Sequence, residues 1–191
     1  MKIIISKRET QLTTQWSGGT TTQLAIFPSG AEYSKQNFFF RISTATVEVE
    51  ESTFTQLPNV DRILMVLNGS LNISHKDHYT KRLNKFDIDT FNGGWETSAK
   101  GKVTDFNLMT KDGYKGSLEA IQLNSSQDLK IDLSEFTGIY LLSGELEIKS
   151  NNVGHHLSQK DFMLLSQEDK SEFVKLFAKV NSEIIVAKVS N

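Results

Sequence analysis

The segment DRILMVLNG (61–69) sets two opposite charges, Asp61 and Arg62, at the mouth of an otherwise apolar run. A guanidinium stays protonated near neutral pH and has no lone pair to give, so it can hold an anion but not a metal cation. A second arginine, Arg41, sits inside FFFRIS (38–43), a run otherwise suited to a core. Alternation along a strand puts Arg41 on one face with Phe39, Ser43 and Ala45. If that face is interior, the charge requires a protein carboxylate or a bound anion as partner. Asp61 and Asp105 are the candidate protein partners, and in TDFNLM (104–109) Asp105 shares a face with Asn107. Asp61 falls on the face opposite Arg62, so a supporting role is expected of it, orienting the arginine or capping the strand. The competing reading of Asp61 and Arg62 is a structural ion pair at a rim.

The stretch WSGGTTTQ (16–23) is the other candidate. Its glycines allow close backbone approach, while Thr20, Thr21, Thr22 and Gln23 offer neutral donors and acceptors beside the Trp16 ring. It can wrap the polar end of a ligand, or it can be a turn into a threonine-rich strand. The four histidines form two pairs, His75 with His78 in HKDHY and His155 with His156 in NVGHHL. Two histidines three residues apart near an aspartate have the look of a metal site. Both pairs nevertheless fall in polar segments after a turn and strand, and rim loops are the expected setting.

The elements that must position these groups are strands. Runs rich in β-branched and alternating residues cover 2–6, 23–27, 38–49, 63–74, 118–123, 138–149 and 183–189. Residues 172–180 are compatible with a turn or two of helix. The 191 residues suffice for one large domain or two small ones, and the formal net charge of -2 offers no general attraction to nucleic acid or to an anionic membrane. With no cysteine in the chain, disulfides, thiolate metal sites and cysteine nucleophiles are excluded. The apolar stretch near the N-terminus is too short for a signal peptide and no run could span a bilayer, so a cytoplasmic protein is expected.

An internal repeat organises the chain. ILMVLNGSLNIS (63–74) and IYLLSGELEIKS (139–150) share a strand, a glycine turn and a second alternating strand. Each is followed by a polar segment and an Asp-led strand, FDIDTF (86–91) and DFMLLS (161–166). This order is similar to a cupin half-barrel, which implies an all-β bicupin of two tandem jelly rolls with little helix. The expected division is 1–115, carrying the site, and 116–191, a degenerate second barrel, with strand exchange between the termini allowed. No Pro- or Gly-rich linker separates the halves, so they are expected to share an interface.

The cupin resemblance carries a ligand pattern of His residues and a Glu, the Glu lying seven residues before the turn glycine. That position is Arg62 in the first half and Thr137 in the second. The remaining ligand positions fall among Gln56, Leu57 and Pro58, near Thr97, and near Ser171, none of which is a ligand of that pattern. The resemblance therefore implies a metal-independent protein without a cofactor, in which Arg62 stands where relatives keep an ion.

WSGGTTTQLAIFP (16–28), FFFRISTATVEVEESTFTQLPNVDRILMVLNG (38–69) and KGKVTDFNLM (100–109) together resemble the HutD/Ves family of small bacterial bicupins with an RmlC-like jelly roll. The family often carries Glu where this chain has Gln23. The resemblance implies a regulatory protein of histidine utilisation that binds a small carboxylate such as N-formylglutamate, or, on the Ves branch, a stress-linked one; it brings no established catalysis. The expected ligand site comprises Trp16, Thr20, Thr21, Thr22, Gln23, Arg41, Ser43, Arg62, Asp105 and Asn107, with Asp61 in support. A homodimer is an allowed assembly, and nucleic acid and membrane are not expected partners. The alternatives are a metal-independent isomerase, epimerase or lyase using Asp105 or a histidine as base, and a non-catalytic interaction scaffold.

Overall fold

The computed structural model describes residues 1–150, 153–167 and 172–191. Its described residues form strands with two short 3-10 turns, Arg8–Thr10 and Tyr33–Lys35, and none of its helices is long and apolar enough to cross a membrane. The chain opens with β1 (Lys2–Ser6). There follow β2 (Leu12–Trp16), β3 (Gly19–Phe27), β4 (Phe40–Val47), β5 (Glu51–Thr53) and β6 (Asp61–Gly69). Next come β7 (Leu71–His75), β8 (Tyr79–Leu83), β9 (Ile88–Asn92), β10 (Thr97–Lys100) and β11 (Val103–Thr110). The remainder is β12 (Lys115–Leu123), β13 (Gln127–Asp132), β14 (Phe136–Ser143), β15 (Glu145–Ser150), β16 (Val153–Ser158), β17 (Phe162–Ser166), β18 (Phe173–Ala178) and β19 (Ser182–Ser190).

Two compact units result, Leu12–Gly116 and the pair of segments Met1–Gln11 with Ser117–Asn191. The first has a six-stranded sheet, β2-β3-β4-β11-β6-β9, facing a four-stranded sheet, β5-β10-β7-β8. Alternate side chains point between the sheets, where Leu64, Val66, Leu71, Ile73 and Phe91 form the core. Each such side chain contributes roughly 1.5–3 kcal/mol on burial. The second unit has sheets β1-β17-β14-β19-β12 and β13-β18-β15-β16 around Ile139, Leu141, Leu146, Ile148 and their neighbours. Its first strand is the chain's N-terminus: β1 pairs antiparallel with β17 from Lys2↔Ser166 to Ser6↔Phe162, so residues 1–11 lie with the C-terminal sheet.

The repeat has a physical cause. Asp87 and Asp161 play the same part in the two units: the carboxylate of Asp87 accepts the amide of Asn84 at 2.8 Å, and that of Asp161 accepts the amide of Ser158 at 2.9 Å. Each aspartate thereby closes the turn that feeds the following strand. The residue before it adopts a left-handed backbone, Phe86 at φ 69° and Lys160 at φ 71°. Its amide reaches back to the strand of the glycine turn, Phe86 to Val66 O at 2.7 Å and Lys160 to Leu141 O at 2.6 Å.

Residues 173–178, compatible with helix by sequence, form β18, because pairing with both β13 and β15 buries Val174 and Leu176 on one face. Ser171, named from the ligand pattern, lies outside the described residues.

The turn glycines Gly69 and Gly144 have φ of 86° and 99°. A Cβ would stand 2.6 Å from Lys102 O at Gly69 and 2.1 Å from Ser182 Oγ at Gly144. Alanine at either position is expected to destabilise its unit by about 1–3 kcal/mol. Gly154→Ala, where a Cβ meets nothing, should be near neutral, and urea titration of the three variants measures the contrast.

Candidate functional site

Arg41 on β4 and Arg62 on β6 are register partners of the same residue, Met109 on the β11 strand between them. The two arginines thus sit in one row across the sheet, each one strand from Met109, with two strand spacings or about 10 Å between their backbones. Both side chains point between the sheets and both are buried, Arg41 at 7% exposure and Arg62 at 6%. One residue earlier, Asp61 turns the other way and accepts Lys115 Nζ at 2.8 Å. Both members of that pair are solvent-exposed, so it contributes little to stability. The adjacent charges of DRILMVLNG are therefore divided between the interior and the surface. Asp61 does not touch Arg62, and the supporting role expected of it is corrected: period-two alternation sends it to Lys115.

The partners of both buried guanidiniums are neutral. Arg41 donates from Nε to Gln23 Oε1 at 3.0 Å and from Nη1 to Ser43 Oγ at 3.3 Å. Its guanidinium lies 4.4 Å from the centre of the Tyr33 ring. Arg62 donates from Nη2 to Asn107 Oδ1 at 3.1 Å. Its other neighbours are the faces of Phe54 and Phe91, at 4.8 and 5.3 Å. Such contacts favour a desolvated cation by about 2 kcal/mol or more. Arg62 Nε is buried with no hydrogen-bond partner. A buried donor left unmade costs roughly 1–3 kcal/mol, which marks it as a place where an acceptor would be accommodated.

Asn107 completes a relay. While its oxygen accepts from Arg62, its Nδ2 donates to Asp105 Oδ1. Asp105, buried on the same face of β11, therefore feels the arginine through an amide rather than as a direct pair. Burial pushes its carboxyl up to about 7, against the lowering influence of Arg62 and the Asn107 hydrogen bond. Burial likewise brings Arg62 down to about 10, offset by Tyr33 and Asp105 and reinforced by Arg41, which leaves it charged at neutral pH. Arg41 is lowered by burial and partly restored by Tyr33.

These groups line one end of a cavity of about 770 Å³ in the first unit. That volume suits a small molecule. Val47, Val49, Phe54 and Ala99 make its apolar wall. Glu51 and Lys100 at the lining pair with one another at 2.8 Å, both largely exposed, and so neutralise each other. Two glycines shape the enclosure. A Cβ at Gly18 would meet the Trp16 ring at 2.1 Å, so the indole folds over that glycine onto the cavity. A Cβ at Gly93 would meet Leu57 O and Val60 O at 2.9 Å and Arg62 Cδ at 3.3 Å, so the glycine makes room for the arginine's stem.

Of the residues expected at the site, Trp16, Thr21, Arg41, Ser43, Arg62, Asp105 and Asn107 line this cavity, and Gln23 joins through Arg41. Thr20 and Thr22 do not line it. They alternate with Thr21 and Gln23 along β3, and Thr22 Oγ1 instead bonds Thr13 Oγ1 at 2.8 Å. Tyr33, Phe54 and Gly93 were not legible from local pattern, since the first two come from a 3-10 turn and the segment after β5, and the third from a backbone approach.

The histidines differ from their expected rim setting. His75 ends β7 and is buried, with Nδ1 at 2.8 Å from Thr97 Oγ1 and Nε2 at 2.9 Å from Asp89 Oδ2. Tyr79 donates to the other oxygen of Asp89 at 3.0 Å. Only His78 is an exposed turn residue, stacked on Trp95, and His155 and His156 belong to β16. The correction is physical: alternation from Leu71 and Ile73 carries His75 inward, and Asp89 and Thr97 satisfy it there. Among the described residues no histidine lines the cavity, and no three His, Cys, Asp or Glu side chains stand together as a metal-binding group.

The sequence profile of the HutD family matches residues 8–183, and the chain belongs to that family. Among curated proteins no sequence match is found. Among solved structures the chain is similar to the conserved protein PA5104 of Pseudomonas aeruginosa PAO1, at 17% identity, full coverage of both chains and a TM-score of 0.85. It is similar to HutD from Pseudomonas fluorescens SBW25, solved in a formate condition, at 16% identity, full coverage of both and a TM-score of 0.73. The bacterial pirin YhhW of Escherichia coli, in complex with nickel(II), has 11% identity, a TM-score of 0.71 and coverage of 97% of this chain and 98% of its own. At such identities the likeness establishes the bicupin jelly-roll fold.

The Asp105 carboxyl lies at about 7 in the folded chain against 3.8 for an ordinary aspartate, so between those values the folded state holds a proton that the unfolded state has released. The contribution to stability is fully present below 3.8 and is lost as the pH rises through about 7. Asp105→Asn is expected to flatten this part of the profile and to gain on the parent between pH 5 and pH 8. Parallel urea-denaturation profiles of the two proteins over that range would contradict the assignment.

Proposed function

We propose that this HutD-family bicupin is a cytoplasmic, metal-independent receptor for a small carboxylate, and that ligand occupancy is what it reports as a regulator. The observation that carries the reading is the pair of buried guanidiniums, Arg41 and Arg62, sharing one cavity with neutral hydrogen-bond partners only. A buried cation is stabilised by an anion, and a guanidinium holds a carboxylate through two parallel N–H···O bonds. Arg62 Nε is the unspent donor for such a bond. Arg41 is preset by Gln23 and Ser43, and Thr21 and Trp16 supply a hydroxyl and an indole to the rest of the ligand. The cavity, at about 770 Å³, has room for a much larger acid than formate, and N-formylglutamate is of that kind.

Calorimetry with N-formylglutamate, urocanate, glutamate and formate tests the reading. Saturable binding of at least one is expected. Arg62→Ala should weaken it by about 2–3 kcal/mol, roughly 30- to 150-fold in Kd, the worth of a charge-assisted bidentate contact. Arg62→Lys should recover only part of it, because an ammonium is a point charge without the planar fork. Silence with all four acids, or unchanged binding by Arg62→Ala, would defeat the proposal.

A further inference from the structure

Asp105 does more than tune the field of the cavity. Its Oδ1 is held by Asn107 Nδ2, and no hydrogen bond from a described residue engages Oδ2, so one oxygen is fixed and the other is left for a ligand. The side chain is 3% exposed and lines the same cavity as both arginines. A carboxylate placed on Arg62 therefore brings its neighbouring atoms toward Asp105, the one buried carboxyl group among the described residues that line this cavity. Arg62 from β6 is the charged group that acts on Asp105, and the other charged and titratable groups lining the cavity are Arg41 from β4, Tyr33 from the 3-10 turn, and the Glu51–Lys100 pair from β5 and β10.

From this juxtaposition we infer that the cavity catalyses proton transfer at carbon: Asp105 acts as general base and then general acid toward a small 2-oxo acid whose carboxylate rests on the arginines. The inference rests on the anion-binding reading above. The substrate class follows from acidity. A carboxyl group cannot ionise the carbon next to a plain carboxylate, but a carbonyl at C2 acidifies the C3–H bond and gives its electrons a place to go. Asp105 takes the C3 proton, the C–H pair forms the C2–C3 double bond, and the carbonyl pair moves onto oxygen. The resulting enolate oxygen is met by a guanidinium already oriented in a poorly solvated site, the arrangement that stabilises developing charge most effectively. Return of a proton from Asp105 to C3 regenerates the oxo acid, so no oxidant, metal or second reactant enters the balance. A group that is half ionised at about pH 7 can both accept and return the proton under ordinary conditions.

The probe is 2-oxobutyrate in deuterium oxide, with loss of the C3 proton signal followed by NMR and binding followed separately by calorimetry. The expected result is protein-dependent exchange that saturates with 2-oxobutyrate, is suppressed by excess formate, and rises with pH through about 7 before levelling. Asp105→Asn should bind the acid while exchanging about 100-fold more slowly or less, since general base catalysis contributes roughly 10²–10⁴. Binding of 2-oxobutyrate without exchange, or exchange equal in the Asp105→Asn protein, would overturn this inference and leave the receptor reading standing. Failure of 2-oxobutyrate to bind also overturns it, and the four acids tested by calorimetry then decide the receptor reading by themselves. If Asp105→Asn does not fold, a saturable parent exchange rate that is flat from pH 6 to 8 overturns the base assignment.

Discussion

Arg62 reaches Asp105 through the amide of Asn107, and that single intervening side chain governs the chemistry of the first unit. A direct pair would hold the carboxylate ionised and satisfy the guanidinium, and the cavity would then have little use for an anion. With an amide between them, the carboxyl is left to the penalty of burial and rises to about 7. The arginine meanwhile keeps its charge and a spare donor. Arg41, held by an amide and a hydroxyl, repeats the pattern two strands away. The cavity is accordingly a place of positive charge, and Asp105, its only buried acid among the described residues, is half neutral at about pH 7.

The second unit shows what the same hairpin becomes without an arginine. Thr137 stands at the position equivalent to Arg62, is fully buried, and accepts the amide of Ser134 at 2.9 Å. Its polar group is satisfied within three residues of sequence, so it makes no demand on a ligand. Around it the core is apolar, with Ile139 and Leu141 following it on the same face of β14. The two halves thus retain one turn device, with Asp87 and Asp161 closing equivalent loops, while differing in what their interiors ask for.

Much of this was legible from residue order because it depends on short-range geometry. The glycine turns, the Asp-led strands and the opposed faces of Asp61 and Arg62 all follow from spacing by two or from a local hydrogen bond. Asp105 and Asn107 could be paired on one face for the same reason. A threonine run hides its alternation until a partner strand exists, so the sequence does not separate Thr20 and Thr22 from Thr21. His75 was expected at a rim because its neighbours Lys76 and Asp77 are polar, and only Asp89 and Thr97, distant in sequence, explain its burial. The helix compatible with 172–180 gave way to pairing with β13 and β15, a tertiary contact that outweighs local preference. The half-ionised state of Asp105 arises from burial and is invisible in sequence.

Gly93 bears on how tightly an occupant can be held. Its missing side chain lets two backbone carbonyls and the arginine's methylene stem close on one another, while Phe54 and Phe91 flank the guanidinium. A free arginine side chain samples many rotamers, and freezing them costs about 1.5–2 kcal/mol. Here that ordering is incurred when the chain folds. An anion placed against this arginine would not incur it a second time.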